Sequence, residues 1–71
     1  MEKFSEKLRT LRKQHGMTQR ELASILGIAH GFIGELETGK KNNPSVHLIT
    51  KLTRLFEVSF DQLMDDRVEL D

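Results

Sequence analysis

The chain has no cysteine, a single proline and no long apolar run among its 71 residues. Without cysteine it has no disulfide framework, no thiolate nucleophile and no thiolate metal site. Its N-terminus is charged from Glu2 onward, and no apolar stretch approaches the roughly 20 residues that span a bilayer. We therefore expect one small, soluble, cytoplasmic domain, whose limited core would gain stability from pairing with a second copy.

Arrangements of residues that carry catalysis are missing as well. His15, His30 and His47 are 15 and 17 residues apart, which matches no metal-ligand spacing. No serine stands in a pattern with histidine and carboxylate that would suggest a catalytic triad. The sequence therefore predicts neither an enzyme nor a bound cofactor.

The formal net charge is zero, but the charges are unevenly distributed along the chain. Residues 1–54 hold ten Lys and Arg against five Glu, a formal +5, and residues 55–71 hold one Arg against six acids, a formal −5. A polyanion would be attracted to the first part and repelled by the last, so nucleic acid is not excluded as a partner. Two merely solvated faces would look the same.

Strand-like alternation and hairpin turns are absent, whereas apolar residues recur at a helical spacing almost throughout. The pattern predicts an all-α, compact five-helix bundle. Glycines end the first three helices, and Thr18 with Glu21 and Ser59 with Gln62 fit the capping box that begins a helix. The predicted helices run from about Phe4 to His15-Gly16, Thr18 to Leu26, Ala29 to Thr38, from Pro44-Ser45 onward, and Ser59 to Met64.

The second and third helices fit a helix-turn-helix. Ala23 is small enough for the helices to cross closely, Gly27 four residues later takes the turn, and Ile33 six residues further on fills the crossing. Any α-hairpin needs a small residue and a glycine turn, so these three positions alone are a moderate signal.

Longer motifs are more specific. The stretches LRTLRKQHGMTQRELASILGI, ELETGK and NNPSVHLITKLTRLFEVSFDQLM together resemble the Cro and phage-repressor type of helix-turn-helix proteins, the XRE family, and within it the SinR-like DNA-binding domains. The resemblance covers Leu8 to about Asp66 and implies a five-helix fold whose third helix enters the DNA major groove. It also implies a DNA-binding domain over residues 1–66, followed by an acidic tail, residues 67–71, that we expect to be flexible.

The resemblance also implies roles for individual residues. Arg12 and Glu37 match a partly buried salt bridge between the first and third helices. Gln19 matches a glutamine that contacts a phosphate or a base edge, and it would otherwise be a solvated first-turn residue. Base edges are faced by His30, Gly31, Gly34 and Glu35. The sugar-phosphate backbone is faced by Thr38, Lys40, Lys41, Asn42 and Asn43, which as a solvated loop would look the same.

Two features of the third helix depart from the family pattern. Relatives usually place longer polar side chains where this chain has Gly31 and Gly34. Either the glycines let the backbone approach the groove floor, so that His30 or Glu35 reaches a base, or the reading surface has been lost. Phe32 stands where relatives often have tyrosine, and its ring either packs on sugar or a thymine methyl or fills a hydrophobic gap.

The sequence thus predicts a dimeric regulator of transcription, most simply a repressor, that binds double-stranded DNA at a near-palindromic operator. The alternative is a protein-interaction module of the same fold, an antitoxin or the partner of an antirepressor protein, with reduced base reading. For Val58 and Phe60, each taken alone, an ordinary core role is the alternative to a place in the predicted dimer contact. That contact comprises Phe56, Val58, Phe60, Leu63 and Met64.

Overall fold

The computed structural model describes residues 2–70, which form five α-helices and, within that range, no strand. α1 packs against α3 and α5, α2 packs against α3 and α4, and α4 packs against α5. The predicted all-α five-helix bundle is confirmed. The helices are α1 Phe4–Gln14, α2 Gln19–Leu26, α3 His30–Thr38, α4 Val46–Phe56 and α5 Phe60–Met64.

Both predicted capping boxes are present. The Thr18 hydroxyl accepts from the Glu21 backbone N–H at 3.0 Å, and the Glu21 carboxylate accepts from the Thr18 N–H at 2.8 Å. At α5 the Ser59 hydroxyl and the Gln62 side chain make the same exchange at 3.0 and 2.9 Å. These pairs bond N–H groups that a helix start leaves unpaired, which is why local sequence located both starts within one residue.

The crossing of α2 and α3 has the predicted parts. Gly27 follows α2 with a φ of 74°, the left-handed conformation that glycine adopts without a Cβ clash. Ala23 is 2% exposed and Ile33 is fully buried. The turn residue, the small residue and the apolar residue therefore form the helix-turn-helix that their spacing predicted.

The hydrophobic core corrects part of the predicted dimer contact. Phe56 and Leu63 belong to the buried core of the chain itself, so their side chains cannot meet a partner while the domain is folded. Val58 and Met64 are half-buried against that core, and Phe60 is 55% exposed. Sequence periodicity identified all five as apolar, but only packing decides which way an apolar residue points.

A buried lysine joins α1 to the end of the chain. Lys7 is fully buried, and its ammonium donates to the carbonyl oxygens of Gln62 at 2.7 Å, Asp65 at 2.8 Å and Val68. The Gln62 side chain also donates to the Leu70 carbonyl at 3.0 Å. The flexibility of residues 67–71 stays a prediction. The hydrogen bonds to the carbonyls of Val68 and Leu70 hold part of this segment and argue against it. Asp71 lies outside the described residues.

Within residues 2–70 the structure contains no helix with the length and apolar character of a membrane span. In the same range no group of three or more His, Cys, Asp or Glu side chains is placed to hold a metal ion.

Candidate nucleic-acid interface

α3 has a buried inner side and an open outer side. Ile33, Leu36 and Glu37 are buried against the rest of the domain. The predicted base-facing residues and Thr38 follow one another at the spacing that places side chains on one face of a helix, and every one of them is exposed or half-exposed. This outer stripe consists of His30, Gly31, Gly34, Glu35 and Thr38.

The fold does not require either glycine of the outer stripe. A Cβ at Gly31 would meet nothing within 4 Å, and one at Gly34 would make ordinary contact with the Gln19 side chain, at 3.6 Å from Oε1. Neither residue has a positive φ. Because each glycine lowers helix stability by about 1 kcal/mol relative to alanine, their presence has no explanation in the packing of this domain.

A buried carboxylate holds the inner side of α3 to α1 and α2. Both carboxylate oxygens of Glu37, whose side chain is 1% exposed, are bonded to Arg12, with Arg12 Nε to Oε2 at 2.6 Å and Nη2 to Oε1 at 3.0 Å. Gln19 Nε2 donates to Oε1 at 3.2 Å. Arg12 Nη1 also donates to the Met17 carbonyl at 2.8 Å. The Arg12–Glu37 salt bridge expected from the resemblance is therefore present.

The charge state of Glu37 follows from this environment. Burial by itself would raise the pKa of Glu37, since it disfavours the charged form. Hydrogen bonds from Arg12 and Gln19, together with the charges of Arg12 and Arg9, outweigh burial and hold the pKa below its ordinary value. The group is therefore an ionised carboxylate at neutral pH and a permanent partner for the donors around it.

Gln19 is oriented by this carboxylate. As the first residue of α2 it would otherwise be a mobile surface side chain, but its amide nitrogen is bonded to Glu37 and its Oε1 lies over Gly34. The side chain thus lies beside the outer stripe of α3 with one amide hydrogen still free to donate. Its predicted contact with a phosphate or a base edge stays a prediction.

The remaining predicted residues fall into two groups. Phe32 is half-buried and packs against the core, which favours the hydrophobic-gap alternative for its ring. The loop after α3 is exposed from residue 40 to 43 and follows the C-terminal end of the outer stripe. There the Glu35 carbonyl accepts from the Lys41 N–H at 3.1 Å and from the Thr38 hydroxyl at 3.2 Å. The side chains of Lys40, Lys41, Asn42 and Asn43 are thereby left at the surface beside α3.

Sequence reasoning missed the different fates of the basic residues of α1. Lys7 was counted among the positive charges of residues 1–54, yet its side chain is buried and bonded to backbone carbonyls, so it presents no charged group at the surface. A signal was present, because Lys7 falls between Phe4, Leu8 and Leu11 on the apolar face of α1. Arg9, which the sequence did not single out, is half-exposed and lies 3.7 Å from Glu37.

Comparison with known proteins identifies the fold family. A family described as Helix-turn-helix matches residues 8–63, most of the chain. The chain belongs to the XRE-type helix-turn-helix family.

Individual relatives agree with this assignment. The transcriptional repressor RghR of Bacillus subtilis strain 168 is 34% identical over 64 residues, covering 90% of this chain and 47% of RghR. A solved complex of SinR with SinI superposes with a TM-score of 0.82 at 26% identity, over 90% of this chain and 62% of that one. SinR, a master regulator of biofilm formation solved with DNA, gives 0.79 at 27% identity, over 87% and 98%. The chain spans about half the length of RghR.

Proposed function

We propose that this chain is a sequence-specific regulator of transcription that binds double-stranded DNA through the outer stripe of α3. The observation that carries the proposal is that this stripe is open to solvent, in a fold similar to that of SinR, which has been solved with DNA. The inner side of the same helix is fixed by Ile33, Leu36 and the buried Glu37. A rigid helix with a free outer face can enter a major groove without rearrangement of the domain.

The outer stripe offers few groups that read bases. The His30 ring can donate to guanine or accept from a base, and the Glu35 carboxylate can accept from a cytosine amino group. Gly31 leaves the helix backbone bare, and Gly34 lies beside the Gln19 side chain. The missing side chains allow the closer approach to the groove floor that short reach demands. Base specificity therefore rests on two side chains and on the distance at which the backbone sits.

Phosphate contacts flank this stripe on both sides. Gln19, held by Glu37, presents its free amide hydrogen at the start of α2, where the helix dipole favours an anion. At the other end, donors come from Lys40, Lys41, Asn42 and Asn43. Thr38, the last residue of the outer stripe, joins them when its hydroxyl turns from the Glu35 carbonyl to a phosphate. Such contacts fix orientation and supply affinity that falls as salt rises.

Two copies would bind one operator and act in the cytoplasm as a repressor that covers a promoter. Phe60 is the exposed apolar group of the predicted contact, with Val58 and Met64 half-buried beside the core. A symmetric pair would place its recognition helices about 34 Å apart, on two major grooves of a near-palindromic site. An antirepressor protein is a candidate second partner of this chain, since SinR, which has a similar fold, has been solved in complex with another protein, SinI.

A protein-interaction module, with α3 no longer reading bases, is the second candidate. The observation that favours it is the same pair of glycines, which the fold does not need and which remove side chains from the outer stripe. The two candidates differ in what the stripe contacts, and a direct binding experiment separates them.

The test selects bound sequences from a random duplex pool and then measures affinity across a salt series. We expect an inverted repeat, and log affinity that falls by about 0.9 per phosphate contact for each unit of log salt. Gln19→Ala should weaken binding to every sequence alike, whereas Glu35→Ala should relax preference at one base pair. A flat salt response with no selected sequence would reject DNA binding in favour of the interaction module.

A further inference from the structure

Glu37 and the side chains around it, Arg9, Arg12 and Gln19, form a cluster with two positive charges and one negative charge. Arg12 neutralises Glu37 through two hydrogen bonds at 2.6 and 3.0 Å, and the Arg12 side chain is only 12% exposed. Arg9 Nε lies 3.7 Å from Glu37 Oε1, too far for a hydrogen bond, and its side chain is 51% exposed. No other carboxylate in residues 2–70 lies within ion-pair distance of Arg9. Two guanidinium groups and one carboxylate leave a net positive charge at the surface.

That charge lies at the edge of the proposed DNA interface. Glu37 is in the last turn of α3 and Gln19 is the first residue of α2, so the carboxylate near Arg9 also holds Gln19. We infer that Arg9 is a further DNA contact that binds a backbone phosphate beside the one contacted by Gln19. The inference deepens the proposed function and rests on it.

The chemistry of Arg9 suits a backbone phosphate. The Arg9 guanidinium is half-exposed and makes only a long ion pair with a carboxylate that Arg12 already neutralises. Such an ion pair is weak in water, so Arg9 can leave Glu37 for another anion. Its planar fork matches two phosphate oxygens at once. Glu37 stays paired with Arg12 and Gln19 when Arg9 moves, so binding leaves no buried charge without a partner.

The test compares Arg9→Gln with Arg67→Gln on a random-sequence duplex across a salt series. Arg67, bonded to Asp65 just after α5, has a side chain that is 81% exposed and provides the same chemical change away from Glu37. For each bound protomer, Arg9→Gln should reduce the slope of log affinity against log salt by about 0.9 and weaken binding about five- to tenfold near 0.1 M salt. Arg9→Lys should keep most of the slope, and thermal unfolding should match the native chain for all three variants.

The outcomes separate this inference from the proposed function. Native protein that binds duplex with a steep salt slope, together with an Arg9→Gln slope equal to that of Arg67→Gln, overturns the Arg9 contact alone. Weaker binding by Arg9→Gln at an unchanged slope also overturns it, since Arg9 would then act only through Glu37 and Gln19. Native protein that does not bind duplex overturns both. Should Arg9→Gln weaken a protein complex instead, the anion is a carboxylate of that partner.

Discussion

Two buried charges tie α1 to the rest of the domain, and they do so by different means. The Glu37 anchor joins α1 to α3 and α2 through side chains, with Arg12 and Gln19 as donors. The Lys7 anchor joins α1 to the end of α5 and the segment after it through backbone carbonyls. The first depends on the identity of three side chains, and the second on one side chain and the path of the main chain.

This difference determines what each anchor does for function. The Glu37 anchor positions Gln19 beside the outer stripe and carries Arg9 at its rim, so it sets the geometry of the proposed DNA contacts. The Lys7 anchor pairs the Gln62 carbonyl, in the last turn of α5, and two carbonyls of the segment after it, and thereby fixes how the chain leaves α5. We expect the two anchors to respond differently to substitution.

The largest expected effect is that of Arg12→Met. It leaves the Glu37 carboxylate, 1% exposed, without its bidentate partner. We expect a loss of about 3 kcal/mol in the free energy of unfolding, the lower end for breaking a buried pair because Arg9 and Gln19 remain nearby. Urea denaturation measures the loss, and a change below about 1 kcal/mol would mean that the salt bridge is not effectively buried.

Acidification provides the control for this variant. Folding lowers the pKa of Glu37, so its stabilising effect is complete above the unfolded value of about 4.3 and disappears as pH falls through the lower folded value. In Arg12→Met the buried Glu37 carboxylate has lost its partner, so its protonation should stabilise the folded state. From about pH 6 to about pH 3, a range that includes the unfolded pKa of about 4.3 and the lower folded pKa, the variant should therefore lose less stability than the native chain. Parallel losses would contradict the assignment.

Lys7→Met should have the next largest effect. The change removes three hydrogen bonds from a charged donor, and the groups that lose a partner are neutral carbonyls. We expect a loss of about 2 kcal/mol, smaller than for Arg12→Met because no charge is stranded. Lys51→Met is the matched control, since Lys51 makes a single bond to the Leu26 carbonyl at 3.0 Å and is exposed. Equal losses for Lys7 and Lys51 would show that burial of Lys7 contributes nothing.

The smallest expected effect, and one of opposite sign, is that of Gly31→Ala. The new methyl group meets open space and improves helix propensity, so stability should rise by about 1 kcal/mol. Affinity for the selected operator should nevertheless fall, since the methyl would stand between the helix backbone and the groove floor. Thermal unfolding and operator binding are measured on the same samples.

Thr50→Ala on the exposed side of α4 is the control for Gly31→Ala, because it also favours the helix without touching the outer stripe. Affinity that falls in neither variant would mean that the glycines serve no close approach. A fall in both would assign the effect to helix stability alone.

Features of the fold and of the site could be predicted from sequence only where they depend on residues close together in the chain. Thr18 and Ser59 located two helix starts because a capping box is complete within four residues. Arg12 and Glu37, 25 residues apart, were paired through resemblance to a family, and their own spacing offered no reason to join them. No sequence signal indicated that Arg9 carries a positive charge in excess of the Glu37 carboxylate, since this depends on how many donors converge on one carboxylate.

The five helices, the turn at Gly27 and the small residue at the crossing follow from the amino-acid sequence alone, because periodicity, capping and a left-handed glycine act between near neighbours. The packing of the helices was needed to show that Lys7 is buried, that Phe56 and Leu63 are core and not contact surface, and that Gln19 is held by Glu37. Burial and charge pairing join residues far apart in the chain, and their outcome depends on which faces the packed helices cover.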